Sequence, residues 1–206
     1  MSSKYLLIEI KKKYCHNLYM KNKNYLTGNI ICAIPQLKDI FFSKSIIYIT
    51  HHNKNGAVGI VLNYKLMKIK SSDIIKKLNL DIKNTSNNFS IHIGGPMNQE
   101  NGFILHSQEY FEPNTIKITK DINLTCTRKI FEDIAMNKGP KKYFISLGYA
   151  GWGPGQLEDE LIKNSWIHIT EKLDLIFDID ARDKWDKAIK LSGIDFSKFI
   201  PNSGTA

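Results

Sequence analysis

Residues 148–161, GYAGWGPGQLEDEL, set Gly148, Gly151, Gly153 and Gly155 around Trp152 and Pro154, after an apolar run and before three acids. A strand, a glycine-rich turn and a helix in that order form the setting in which backbone amides cradle phosphate. The residues do not fit that use. Their spacing matches neither GxGxxG nor GxxxxGK followed by Ser or Thr, and no lysine or hydroxyl follows to hold a terminal phosphate or magnesium. Glu158, Asp159 and Glu160 fall in the first turn of the expected helix, where a carboxylate gains about 0.3 to 1 kcal/mol from the amides a phosphate would need. A steric use remains. The glycines allow at least one left-handed position among Gly151, Gly153 and Gly155 and let Trp152 fold close to the backbone, while Pro154 restricts the loop.

The other side chains able to do chemistry are His51, His52, His106, Glu158, Glu160, Asn164 and Trp166. Adjacent strand residues point to opposite faces, so His51 and His52 cannot chelate as a pair, and only one could face His106. The better account is a strand-end histidine making a hydrogen bond. Glu158 and Glu160, two apart on a helix, do not share a face; Glu158 reads as a capping carboxylate before it reads as a general base. Asn164 and Trp166 can close a pocket against Trp152 or form a core corner in which the asparagine satisfies buried backbone. No Ser-His-Asp or GxSxG arrangement is present, which counts against ordinary hydrolysis. Cys15, Cys32 and Cys126 are odd in number and lack CxxC spacing, so they suggest neither a disulfide framework nor a zinc ribbon.

These residues need a scaffold, and 206 residues with 42% hydrophobic content suit one domain with a real core. Residues 1–24, with KKK and KNKN runs, read as a disordered basic tail that a product starting at Met20 would largely lack; residues 25–206 read as a single domain. From Gly28 onward, NIICAIP, SIIYITH and AVGIVLN read as strands, the last two joined by a turn at Asn53, Asn55 and Gly56. Ser71-Ser72-Asp73 offers the cap of a short helix. FSIHI and GFILHS read as strands joined by a turn at Gly94, Gly95 and Pro96. Thr125 or Thr127 can cap a helix with a stripe of Ile130, Phe131, Ile134 and Ala135, stopped by Gly139-Pro140. KYFISLGYA and Trp166 to Ile169 add strands, and Ala181 to Leu191 a last helix. The mixture predicts an α/β or α+β domain.

The net charge of +9 is mostly lysine: 27 of 29 basic residues, with ten acids against seven bases after residue 149. Base readout favours arginine, so the charge fits solvated lysine faces better than a nucleic-acid interface. No apolar run approaches a membrane span, and Glu9 interrupts the N-terminal apolar run before it could form a signal core, so a cytoplasmic protein is expected.

YLTGNIICAIP, FFSKSIIYITHHNKNGAVGIVLN, IHIGGPMNQENGFILH, LGYAGWGPGQLEDELIKNSWI and KWDKAIKLSGID, in that order, resemble the YqgE/AlgH family of small bacterial proteins. The resemblance spans residues 25 to about 206. It departs from the family pattern at His51-His52 and at Asn63-Tyr64-Lys65. It implies an α+β domain with a bent, branching sheet partly rolled into a small barrel and flanked by helices. It implies no particular activity, although the family is sometimes described as a transcriptional regulator. The expectation is a small-ligand-binding or regulatory module whose pocket gathers Gly94, Gly95, Pro96, His106, Trp152, Gly153, Gln156, Glu158, Asn164 and Trp166. Its partner is a small molecule or a protein, with no cofactor, metal or membrane. The alternatives are an enzyme using Glu158 or His106 as general base, and a DNA-binding regulator without a helix-turn-helix signature.

Overall fold

The structure is a computed structural model that describes residues 25–70, 88–170 and 172–194. The tail and the helix expected after Ser71 lie outside the described residues.

Apolar runs become strands where both faces are covered. β1 (Ile30–Ala33) is buried along its whole length because Ile30 and Cys32 enter one core while Ile31 and Ala33 enter another on the opposite face. β2 (Ile46–Asn53) and β3 (Gly56–Val61) pair antiparallel from Ile47 opposite Val61 to Asn53 opposite Gly56, which places the expected turn at residues 54 and 55. Two further strands, β4 (Lys65–Lys70) and β5 (Asn88–Ile93), form an antiparallel pair. They are followed by β6 (Met97–Ser107), β7 (Ile116–Lys117), β8 (Ile122–Thr125), β9 (Tyr143–Trp152) and β10 (Trp166–Ile169). The main order is β10-β1-β2-β3-β9-β6-β8-β7, with β4-β5 branching from β9. This curled, branching sheet makes the half-barrel, flanked among the described residues by four helices.

The branch has a local cause. β9 pairs along one edge with β6, while its other edge is shared: Ile145 to Leu147 run parallel to β5, and Ala150 to Trp152 run antiparallel to β3. Gly148, at φ 72°, bends β9 between the two partners. The Gly94-Gly95 turn fills the fork, with Gly94 donating to Leu147 O at 2.7 Å and accepting from Val61 N at 2.8 Å. This turn therefore joins β5 to β6 without pairing them, since β9 runs between.

The helices cover the two faces. α1 (Arg128–Ala135) packs Ile130, Ile134 and Ala135 on Ile91, Ile104 and Ile145. Thr127 is its cap, accepting from Ile130 N, and Asn137 at φ 58° turns the chain before Gly139-Pro140. α2 (Gln156–Ile162) buries Leu157 and Leu161 against Ile31, Ile47 and Val61. α3 (Leu173–Phe177) and α4 (Lys184–Leu191) bring Leu175, Ile176 and Ala188 into the other core with Tyr48, Leu62 and Phe144. No described helix is long and apolar enough to cross a membrane.

Candidate functional site

The opening loop resolves into a strand end, a short turn and a helix, and its polar groups are turned inward. β9 continues through Trp152, so the turn itself spans Gly153 to Gly155. Gly155 is the left-handed position, at φ 74°. The turn before the helix is braced by Gln156, whose Oε1 accepts from Gly153 N at 3.0 Å and whose Nε2 donates to Glu160 Oε1 at 3.0 Å. Glu160 Oε2 then accepts from both indoles, Trp166 Nε1 at 2.7 Å and Trp152 Nε1 at 2.9 Å, while the rings meet edge to face at 6.1 Å. This is a core corner. Asn164, at φ 56°, follows the end of α2 beside this corner: its N–H bonds Leu161 O, and Ser165 N bonds Glu160 O, the Schellman arrangement that satisfies a helix end.

Glu158 does not cap the helix, as the sequence suggests; it faces His52. His52 Nδ1 accepts the backbone N–H of Leu26 at 3.0 Å, so Nε2 carries the ring proton and donates to Glu158 Oε1 at 3.1 Å. Thr27 Oγ1 accepts from His52 N at 2.8 Å, and the Tyr25 ring meets the imidazole edge on. The histidine thus pins residues 25–27 to β2 and α2. Burial, aided by neighbouring His51, holds its pKa below the ordinary value. Glu158 Oε2 is buried without a hydrogen-bond partner among the described residues.

His106 is elsewhere. It pairs with Tyr143 at the start of β9, nine residues before Trp152 and at most roughly 30 Å away along the strand. Fully buried, it donates from Nδ1 to Ser107 O at 2.9 Å and accepts from Thr125 Oγ1 at Nε2, also at 2.9 Å. Thr115 hydrogen-bonds Thr125 in turn, and Glu112 accepts from Thr127. Both ring nitrogens are engaged. The residues expected in one pocket therefore occupy three places: the fork (Gly94, Gly95, with Pro96 exposed beside it), the loop corner (Trp152, Gly153, Gln156, Glu158, Asn164, Trp166) and the threonine network around His106. Among the described residues no three His, Cys, Asp or Glu side chains are grouped to hold a metal ion.

A cavity of about 430 Å³ opens at a fourth place, between the β4-β5 branch, the start of β9 and the segment linking α3 to α4. Ser90, His92, Tyr143, Asp178, Asp180 and Lys184 supply its polar lining, and Phe144 and Ile176 much of its apolar wall. The Phe144 ring stacks on His92 at 4.1 Å and lies 5.0 Å from Lys184 Nζ. His92 donates from Nδ1 to Ile145 O at 3.1 Å, which leaves the lone pair on Nε2. Burial, reinforced by Lys184 and Lys65, pushes its pKa down to about 4. Lys184 is only 2% exposed and donates to Ile176 O at 2.6 Å. Burial pushes its pKa down to about 7, Asp178 and Asp180 opposing the shift in part. Lys184 also opens α4, where the helix dipole disfavours a cation. Sequence reasoning missed this site; the available signal was a lysine at a helix N-terminus, a position that normally draws acids.

The shifted amine makes stability depend on pH with a definite sign. Its folded pKa of about 7 lies below the unfolded 10.5, so between those values the unfolded chain holds more protons and stability rises with pH. From pH 7 to 8, below the ordinary thiol and phenol values, this contributes about 1 kcal/mol. Urea denaturation of the unmodified protein should show that rise, and Lys184→Met should remove most of it, leaving the smaller rise below about pH 7.5 from the histidines whose pKa the fold lowers.

Residues 30–197 match the family model described as AlgH-like. A UPF0301 protein from Shewanella loihica is 35% identical over 183 residues, covering 88% of this chain and 98% of its own length. A second, from Saccharophagus degradans, is 40% identical over 181 residues, covering 88% and 89%. The solution structure of the AlgH protein from Pseudomonas aeruginosa superposes with a TM-score of 0.72 at 28% identity, covering 91% of this chain and 99% of that one. A crystal structure of a protein from Corynebacterium diphtheriae, at 18% identity, shares the fold with a TM-score of 0.65 over 85% and 91%.

Proposed function

The chain belongs to the AlgH-like family, and from that premise we propose that it is a small-ligand-binding module whose ligand site is the cavity at Lys184 and His92. The observation that carries this reading is a space of about 430 Å³, within the range of small-molecule sites, into which a few polar groups converge against an aromatic wall. The glycine loop and the fork offer backbone and indoles already bonded to protein, and His106 has both nitrogens engaged. Those contacts weigh against a general base at His106. A second locus has one feature in its favour, the unpartnered Oε2 of Glu158 beside His52.

The experiment is a thermal-shift screen of metabolites against the unmodified protein and a Ser90→Trp variant that fills the cavity. A ligand at 100 times its dissociation constant adds about 2.7 kcal/mol of stability, a shift of several degrees. The reading requires at least one compound whose shift disappears in Ser90→Trp. Shifts that persist in that variant, or an empty screen, contradict it.

A further inference from the structure

We propose that the cavity takes a small oxyanion, a carboxylate or phosphate group, and that its binding places a proton on Lys184. This rests on the ligand-binding reading above and specifies its chemistry. The charges around the cavity are unequally matched. Asp178 is paired with Lys142 at 2.7 Å, and Asp180 with Arg182 at 3.3 Å. Among the described residues no carboxylate lies within ion-pair distance of Lys65 or Lys184. Lys184 is buried against the Ile176 carbonyl and the Phe144 ring, which together stabilise a cation less well than a carboxylate does.

The groups facing Lys184 define what it lacks. From β5 comes His92, held neutral by burial at ordinary pH; from β9 come Phe144 and Tyr143; from β4 comes Lys65; from the α3–α4 link come the two aspartates already matched to other bases. Asp178 and Asp180 act on Lys184, and Asp180 on Lys65, from beyond ion-pair distance; an oxyanion in the cavity would supply the direct partner that both lack among the described residues. The amine, near the midpoint of its titration at pH 7, would then take up a proton from solvent as the anion enters. A neutral ligand of the same size would leave the amine's protonation as it is.

Lysine side-chain NMR titration of the unmodified protein tests this, run in succinate or inorganic phosphate at about 50 mM against chloride of matched ionic strength, with succinamide as the neutral control. The expected result is that the Lys184 titration midpoint rises by about one unit or more in at least one of the two oxyanions and stays put in succinamide. Calorimetry near pH 8 in two buffers of different ionisation enthalpy should then register uptake of roughly 0.4 of a proton or more per anion bound, the larger figure for the larger rise. Lys184→Arg, whose charge is fixed, should bind the anion without that uptake. No change of midpoint in either oxyanion overturns the proposal, as does equal stabilisation of Lys184→Met. If a neutral compound gives a shift that Ser90→Trp removes while both oxyanions leave Lys184 unmoved, the cavity is a ligand site and the oxyanion assignment alone falls.

Discussion

Gly95→Ala should cost about 4 kcal/mol or more, a large part of the roughly 5 to 15 kcal/mol by which a domain is ordinarily stable. A Cβ at Gly95 would lie 2.1 Å from Tyr149 C, 2.2 Å from Tyr149 O and 2.4 Å from Ala150 N. These are backbone atoms of β9, and a strand held by β3 on one edge and β6 on the other cannot move aside. The neighbouring fork position is equally closed, since a Cβ at Gly94 would meet Gly148 O at 2.2 Å. Gly153→Ala is the control from the glycine loop. Its Cβ would meet only Gln156 Oε1, at 3.8 Å, so it should cost less than about 1 kcal/mol. Chemical denaturation of the two variants checks both figures. Similar costs at Gly95 and Gly153 would show that the fork is not the rigid joint described.

Glu160→Ala should destabilise the fold by about 3 to 5 kcal/mol, lowering the melting temperature by about 8 to 15 °C. One carboxylate oxygen serves two indole N–H groups, and the other holds Gln156, which in turn braces the turn before α2 at Gly153. Removing the side chain strands both donors in a buried corner, where each lost partner costs about 1 to 3 kcal/mol. Glu160→Gln keeps an acceptor oxygen but puts an amide where one of the bonds must fall, so its loss should be intermediate. Trp152→Phe in the Glu160→Ala background should recover part of the stability, because it removes one of the stranded donors. Glu158→Ala, by contrast, leaves the indoles satisfied and should loosen mainly the strap at residues 25–27 through His52.

The strands that show most plainly in the sequence are those with covered faces. NIICAIP and SIIYITH are unbroken apolar runs because helices lie over both sides of β1 and β2, and α1 is marked by Thr127 and a single apolar stripe. Short or polar elements leave no such mark: α3 has five residues, and β4 carries three lysines in six positions. The branch could not be inferred from local pattern, since it depends on β9 pairing with three strands that are distant in sequence. Gly94, Gly95 and Gly148 stood out as unusual, yet their joint purpose appears only when two backbones meet.

The candidate site divides in the same way. The loop residues Trp152, Gln156, Glu158 and Trp166 are close to one another, as their nearness in sequence suggests, but they bond inward. The family resemblance ordered the motifs correctly and implied the fold, which the AlgH-like match and the Pseudomonas aeruginosa structure support. It could not point to Lys184: seven of the cavity's twelve lining residues lie within 176–184, but that stretch becomes a cavity wall only where β4, β5 and β9 come to lie against it. Burial is what makes this lysine unusual, and burial belongs to the tertiary fold.

Chemical-shift mapping with the compound that most raises the melting temperature tests the placement of the site most directly. The account predicts that the largest changes fall on Ser90, His92, Tyr143, Phe144 and Ile176 to Lys184, with small ones at residues 149–158. Largest changes at Gly94 to Pro96, Trp152 and Glu158, with the Lys184 region unmoved, would contradict it and return the site to the glycine loop.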